Sequence, residues 1–257
     1  MRFSVVVVCL NSGDRLQKTI DSIYMQSHED YEIIVKDGLS TDGSVEKLVG
    51  NEKLRIIRQK DKSIYDAMNQ AITYVTGDYI IFLNTGDVFA GSEVLKSIDR
   101  AASDAQADIV YGDMAREGVK GTIPSPTEIT DSVCYRNIPC HQACFYRPKM
   151  FEAEGYRLQY AVRADYEHFL RCKYEYKATF KYVPCTVAIY EGNGFSETGE
   201  NEKRARAEHK EITAKYLGSK CIKYRLLMLV TLQPLRKKMA ESKGFSGVYN
   251  RVKGIFR

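Results

Sequence analysis

Five stretches carry residue types that could do chemistry, and in each case an acid or amide stands where a regular element ends or begins. Asn84-Thr85-Gly86-Asp87 follows the apolar run Tyr79-Ile80-Ile81-Phe82-Leu83, which reads as a strand buried on both faces. A carboxylate delivered there, beside a glycine that leaves the backbone open, suits a hard divalent cation carrying phosphates, because such cations prefer oxygen ligands. A turn in which Asp87 bonds its own backbone explains the same residues. Asn11 follows the β-branched run that starts at Phe3 and ends at Cys9, and Asp37 follows the run from Tyr31 to Lys36. Asp66 stands three residues after Ser63, the spacing of a capping box. Asp165, in Arg163-Ala164-Asp165-Tyr166, begins a helical pattern and reads either as a cap favoured by the helix dipole or as a free acid.

The elements that must position these groups alternate. After the first strand, Leu16, Ile20, Ile23 and Tyr24 recur at helical spacing, with Asp14 or Ser12 placed to cap. A strand is expected over Leu54 to Arg58. Ala67, Ala71, Ile72 and Val75 form a helical stripe that Gly77 would stop as a C′ residue. Val94, Leu95 and Ile98 mark the next helix and Ile109-Val110-Tyr111 the next strand. Such alternation implies an α/β fold with a mostly parallel sheet and helices on both faces. Ligands of open α/β sheets lie outside the carboxyl ends of the strands, where Asn11, Asp37 and Asp87 would gather. Beyond Gly112 the pattern loosens: a loop around Pro124 and Pro126, a strand from His141 to Arg147, a helix from Arg163, a strand pair over 177–190 broken at Pro184, a loop from Glu191 to Ser196, and a charged helix from Glu200 to Leu217.

The 257 residues suffice for a full core, in one large domain or one and a half. Seven scattered cysteines, an odd number, fit reduced thiols better than a disulfide framework. Cys134, Cys140, His141 and Cys144 lie close in sequence, but without a CxxC pair they make a poor zinc signature. No secretory leader is evident after Met1, and no apolar run reaches the ~20 residues that span a bilayer, so a cytosolic location is expected. The net charge of +5 is divided: from Lys220 onward ten basic residues face only Glu241, giving the tail +9 and the remainder −4. Ile222, Leu226, Leu227, Met228, Leu229 and Val230 lie among these cations, so 220–257 suits an anionic membrane surface. Packing on the body or on a second subunit, as in a homodimer, explains it too. Nucleic acid is a weaker partner for the tail, since no binding motif accompanies it.

Taken together, Asn11 after its strand, Asp37-Gly38-Leu39-Ser40-Thr41-Asp42-Gly43-Ser44, Ile64-Tyr65-Asp66-Ala67-Met68-Asn69, Thr76-Gly77-Asp78-Tyr79 and Leu83-Asn84-Thr85-Gly86-Asp87 resemble the family-two glycosyltransferases of GT-A fold, over about residues 3 to 200. The resemblance implies a nucleotide-sugar-binding half (1–112), an acceptor and catalytic-base half of the same domain (113–217), and the basic helical tail (218–257). It implies nucleotide-sugar contacts at Asn11, Asp37, Asp66, Asn69 and Asn84. Asp87 matches the last carboxylate of the motif that holds Mn²⁺ or Mg²⁺ against the diphosphate, with Thr85 and Gly86 at the motif's other positions. Asp165 matches the catalytic base, while His141 and Ser196 look like acceptor or diphosphate contacts. One base and direct displacement imply inversion, with a hexosyl or N-acetylhexosaminyl group moved to a glycan, lipid-linked at the cytosolic face of the inner membrane in bacterial surface polysaccharide synthesis. Two rival readings are a nucleotidyltransferase, which would also set acids at strand ends near a nucleotide and metal, and a non-catalytic sugar-nucleotide-binding scaffold on a membrane, against which Asp165 argues.

Overall fold

The computed structural model describes residues 1–192 and 199–230. β-Branched residues fill strand β1 (Phe3–Cys9), every residue of which is buried. Parallel to it on either side run β2 (Tyr31–Asp37) and β4 (Tyr79–Asn84), and β3 (Leu54–Arg58) extends the parallel half beyond β2. The sheet is completed by β5 (Val88–Phe89), β6 (Ile109–Arg116), β7 (Thr122–Ile123), β8 (Cys144–Tyr146) and β9 (Phe180–Tyr190), in the order β3-β2-β1-β4-β8-β6-β9-β5, with β7 paired to β6. Strand β8 runs antiparallel to both β4 and β6, whereas β6 and β9 are parallel.

Helices cover both faces. On one, Phe3, Val5, Val7, Ile33 and Val35 share a core with Leu16, Ile20 and Ile23 of α1 (Arg15–Tyr24) and with Leu95 and Ile98 of α3 (Val94–Ala105). Each such side chain contributes roughly 1.5–3 kcal/mol when withdrawn from water. On the other, α2 (Ile64–Ile72) packs over β1 and β2, and Phe82 meets Phe151 of α5 (Lys149–Glu152) at 5.8 Å. His168 of α6 (Ala164–Tyr174) stacks on Phe151 at 4.2 Å. A short α4 (Asp131–Arg136) precedes the loop to β8, and α7 (Gly199–Leu217) and α8 (Lys220–Val230) close the described chain.

Three local expectations are corrected. Helix α2 ends at Ile72, before Val75, and Gly77 is not its C′ residue. Gly77 is required because a Cβ there would come within 2.7 Å of the Ser4 backbone nitrogen on β1. His141–Ala143 forms a single 3₁₀ turn, closed by the Ala143 N–H on the Cys140 carbonyl at 2.9 Å, and only Cys144–Tyr146 is strand. The expected pair over 177–190 is one strand, β9, whose register shifts between Tyr111↔Tyr182 and Asp113↔Thr186. Pro184, which has no N–H to give a ladder, falls inside that bulge.

One compact unit, Met1–Ile212, holds residues from both expected halves of the domain, and a second unit begins at Thr213. Helix α8 exposes Ile222 (67%) and Leu226 (58%) beside Lys223 and Arg225. No helix among the described residues is long and apolar enough to cross a membrane.

Candidate functional site

The strand register brings Cys9, Asp37 and Arg58 side by side at the carboxyl edge of the sheet, with Asn84 next to Val8. Two loops are stitched together above that edge. Asn11 takes the left-handed conformation (φ 50°), which Asn tolerates better than most residues; its N–H bonds Ser40 Oγ and its Oδ1 accepts from the Thr41 N–H, both at 2.9 Å. Asp42 accepts from the Gly13 N–H at 2.8 Å, and hydrogen bonds from the Ser44 hydroxyl, the Ser44 N–H and Gly13 hold its carboxyl down at about 2. Asp37 is fully buried beneath these loops, accepting from Ser40 and from Arg58 Nε at 3.1 Å.

Asp87 and Asp165 face one cleft of about 800 Å³, lined as well by Tyr65, Asn84, His141 and Gln142. Asp87 stands three residues beyond the end of β4 and immediately before β5. Its Oδ2 accepts from Gln142 Nε2 at 2.9 Å and its Oδ1 from the Glu191 N–H at 3.2 Å. Burial nevertheless raises its carboxyl above the ordinary range, against those two hydrogen bonds. Gly86 before it has φ 99°, a backbone conformation that residues with a side chain rarely adopt, which favours glycine there. Asp165 begins α6 and is 20% exposed. Its Oδ1 accepts from the Tyr65 hydroxyl at 2.9 Å, and its Oδ2 faces His141 Nδ1 at 3.2 Å. Burial alone would raise this carboxyl, but His141 and Tyr65 outweigh it and hold it below the usual value. Asn84 Nδ2 lies 3.4 Å from His141 Nε2, so the imidazole tautomer with its proton on Nδ1 satisfies both neighbours.

Not every expected residue reaches the cleft: Asn11 and Asp37 are not among its lining residues, Asn11 being bonded into the loops and Asp37 fully buried. Asp66 accepts from the Lys62 N–H at 2.8 Å and from Gln70, while Ser63 caps α2, so this carboxylate serves the helix start. Asn69 uses both ends of its amide on the backbone of Tyr156, at 2.8 and 2.7 Å. Tyr65 and Met68 of the same helix line the cleft instead. Ser196 lies outside the described residues. Sequence reasoning missed Gln142, whose neighbour His141 was the only flag, and Glu208. From what reads as a plain charged helix, Glu208 accepts the N–H groups of Ala161, Val162 and Arg163 at 3.0, 3.0 and 2.8 Å, fixing the backbone that leads into Asp165. Arg15 and Arg163 add positive charge to the lining.

Residues 4–169 match the family described as Glycosyl transferase family 2. The chain belongs to that family. This family-two glycosyltransferase is 32% identical over 206 residues to a PGL/p-HBAD biosynthesis glycosyltransferase of Mycobacterium bovis (strain BCG / Pasteur 1173P2), covering 76% of the chain and 79% of the relative. It is 31% identical over 129 residues to a poly(ribitol-phosphate) beta-glucosyltransferase of Bacillus spizizenii, covering 47% of the chain and 20% of that protein. Among solved structures, residues 1–349 of S. aureus TarS in complex with UDP-GlcNAc superpose with a TM-score of 0.64 at 17% identity, over 84% of this chain and 72% of that one. The mannosyltransferase PcManGT from Pyrobaculum calidifontis, in complex with GDP-Man and Mn²⁺, gives a TM-score of 0.64 at 14% identity, over 97% and 83%. These likenesses show the GT-A fold.

Among the described residues of the transferase, no set of three His, Cys, Asp or Glu side chains converges as a cation site. Asp87 still fits a divalent ion, because Mg²⁺ and its kin take one or two carboxylates and fill the shell with water and substrate phosphate. Burial is the largest influence on the Asp87 carboxyl and raises it, and a cation bound there would favour its charged form.

Proposed function

We propose that this glycosyltransferase is inverting and metal-dependent, moving a hexosyl or N-acetylhexosaminyl group from a nucleotide-diphosphate donor to a glycan acceptor. The observation that carries the proposal is the opening of Asp87 and Asp165 onto one cleft. Asp87 would hold Mn²⁺ or Mg²⁺, which neutralises the departing diphosphate. The edge at Asn11 and Asn84 receives the nucleotide, with the buried Asp37 holding the Ser40 loop beneath it and Arg15 beside the phosphates. Asp165 takes the proton of the attacking hydroxyl: it is ionised, partly exposed, and oriented by Tyr65 and His141. A single base with in-line attack gives inversion, whereas a glycosidase needs an acid and base pair.

A lipid-linked acceptor in the synthesis of a bacterial surface glycoconjugate is supported by the relatives' names and by the exposed apolar residues of α8 among cations, which suit peripheral attachment to an anionic membrane. The test is a panel of UDP-, GDP- and dTDP-sugars incubated with Mn²⁺. Release of a nucleoside diphosphate from one donor supports transfer. Pyrophosphate would mark a nucleotidyltransferase, and binding without release of either a scaffold. Asp87→Ala should lose metal-dependent nucleotide binding, and an unchanged titration would remove Asp87 from the metal.

A further inference from the structure

We propose that the turn at 140–142 is a clamp that sets the positions of the two working carboxylates, with Gln142 holding Asp87 and His141 holding Asp165. The inference rests on the roles given above to Asp87 and Asp165, and makes Gln142 and His141 positioning residues.

The two acids come from separate elements, one after β4 and one at the start of α6, and nothing in their own segments relates them. Consecutive residues of one turn touch both. Gln142 Nε2 donates to Asp87 Oδ2 at 2.9 Å, and His141 Nδ1 lies 3.2 Å from Asp165 Oδ2. Gln142 is buried, at 8% exposure, so water does not compete freely for its amide. An amide can present either end, and the wrong end would set Oε1 against a carboxylate oxygen, two acceptors with no proton between them. The Asp87 carboxylate, which can only accept, selects the orientation that turns Nε2 toward it. Asn84 Nδ2, at 3.4 Å from His141 Nε2, selects the His141 tautomer in the same way.

The clamp also has a fixed base. The turn runs straight into β8, which is hydrogen-bonded between β4 and β6, so it is anchored to the strand that delivers Asp87. Displacing a reacting group by about 1 Å can cost about 100-fold in rate, so a common mount for both acids has direct consequences for catalysis.

The test separates the two arms. Mn²⁺ binding is followed by loss of the free-ion EPR signal, with UDP or GDP present, whichever the unaltered protein holds with the ion. Gln142→Met keeps the volume and removes the donor, and should weaken Mn²⁺ binding by about 10- to 100-fold, the usual loss when the partner of a metal-ligating carboxylate is removed. It should raise the Mn²⁺ needed for half-maximal turnover more than it lowers kcat. Should Gln142→Met fold poorly, Gln142→Leu, which also removes the donor, carries the same expectation. His141→Ala should lower kcat and leave Mn²⁺ affinity in place, with partial recovery in His141→Asn. Unchanged Mn²⁺ affinity in Gln142→Met, or equal losses in both arms as from general loosening, overturns the clamp. A wild-type protein that transfers sugar without taking up Mn²⁺ would overturn the metal assignment of Asp87 and the Gln142 arm with it, while leaving the transferase reading intact.

Discussion

Replacing Asp165 by asparagine removes one proton acceptor and little else. The amide matches the carboxylate in volume, and its oxygen can still accept from the Tyr65 hydroxyl, which sits 2.9 Å from Oδ1. At the other oxygen a new NH₂ group would donate to His141 Nδ1, now 3.2 Å away, forcing the imidazole proton onto Nε2 and toward Asn84. Asn84 can answer by turning its amide, because its buried Oδ1 has no partner in the native arrangement. The cost to folding is therefore about one hydrogen bond, ~1 kcal/mol. The cost to turnover is larger: a general base contributes about 10²- to 10⁴-fold, which is about 3–5 kcal/mol in the barrier. The assay is nucleoside diphosphate release at saturating donor and acceptor, with the donor KM and a urea midpoint measured alongside. Asp165→Asn should lower kcat at least about 100-fold with the donor KM within a few-fold and the midpoint nearly unchanged. Turnover within a factor of about ten of wild type would refute the base assignment.

Three further outcomes follow from the geometry. Glu208→Ala strips the acceptor from three consecutive backbone N–H groups ahead of Asp165, so it should cost at least about 1–3 kcal/mol in a denaturant titration and lower kcat more than donor affinity; equal effects on both would argue that Glu208 serves only the fold. Gly77→Ala drives a Cβ to within 2.7 Å of the Ser4 nitrogen and 2.9 Å of the Arg2 carbonyl, and should destabilise the protein by about 1–3 kcal/mol, whereas an unchanged midpoint would mean that the β1–β4 entrance yields freely. Burial, followed by the Arg171 charge, pushes His168 down to about 3 from 6.5. Below pH 6.5 the unfolded chain takes up a proton that the folded one refuses, so stability should fall by up to about 1.4 kcal/mol per pH unit until pH nears 3. His168→Gln should flatten that slope between pH 6 and 4, and identical slopes would sink the assignment.

The sequence by itself determined the alternating elements of the amino-terminal half, the family, and the placing of Asn11, Asp37 and Asp87 after strands. Each of those follows from local causes: β-branched runs with no polar break make buried strands, helical stripes cover them, and parallel pairing then leaves every strand's carboxyl end at one edge. It also flagged Asp165 from the residues around it. Tertiary structure alone decided which groups meet. Nothing at position 142 announces that its amide reaches Asp87, and a glutamate in a charged helix gives no sign that Glu208 will cap a distant loop. Conversely, Asp66 and Asn69 carry the right residue types, yet one is spent on a helix start and the other on the backbone of Tyr156. Periodicity and composition report a residue's own neighbours along the chain. The bonds that define the cleft join residues 24 to 104 positions apart, and only the folded packing of β4, β8, α6 and α7 brings those partners within reach.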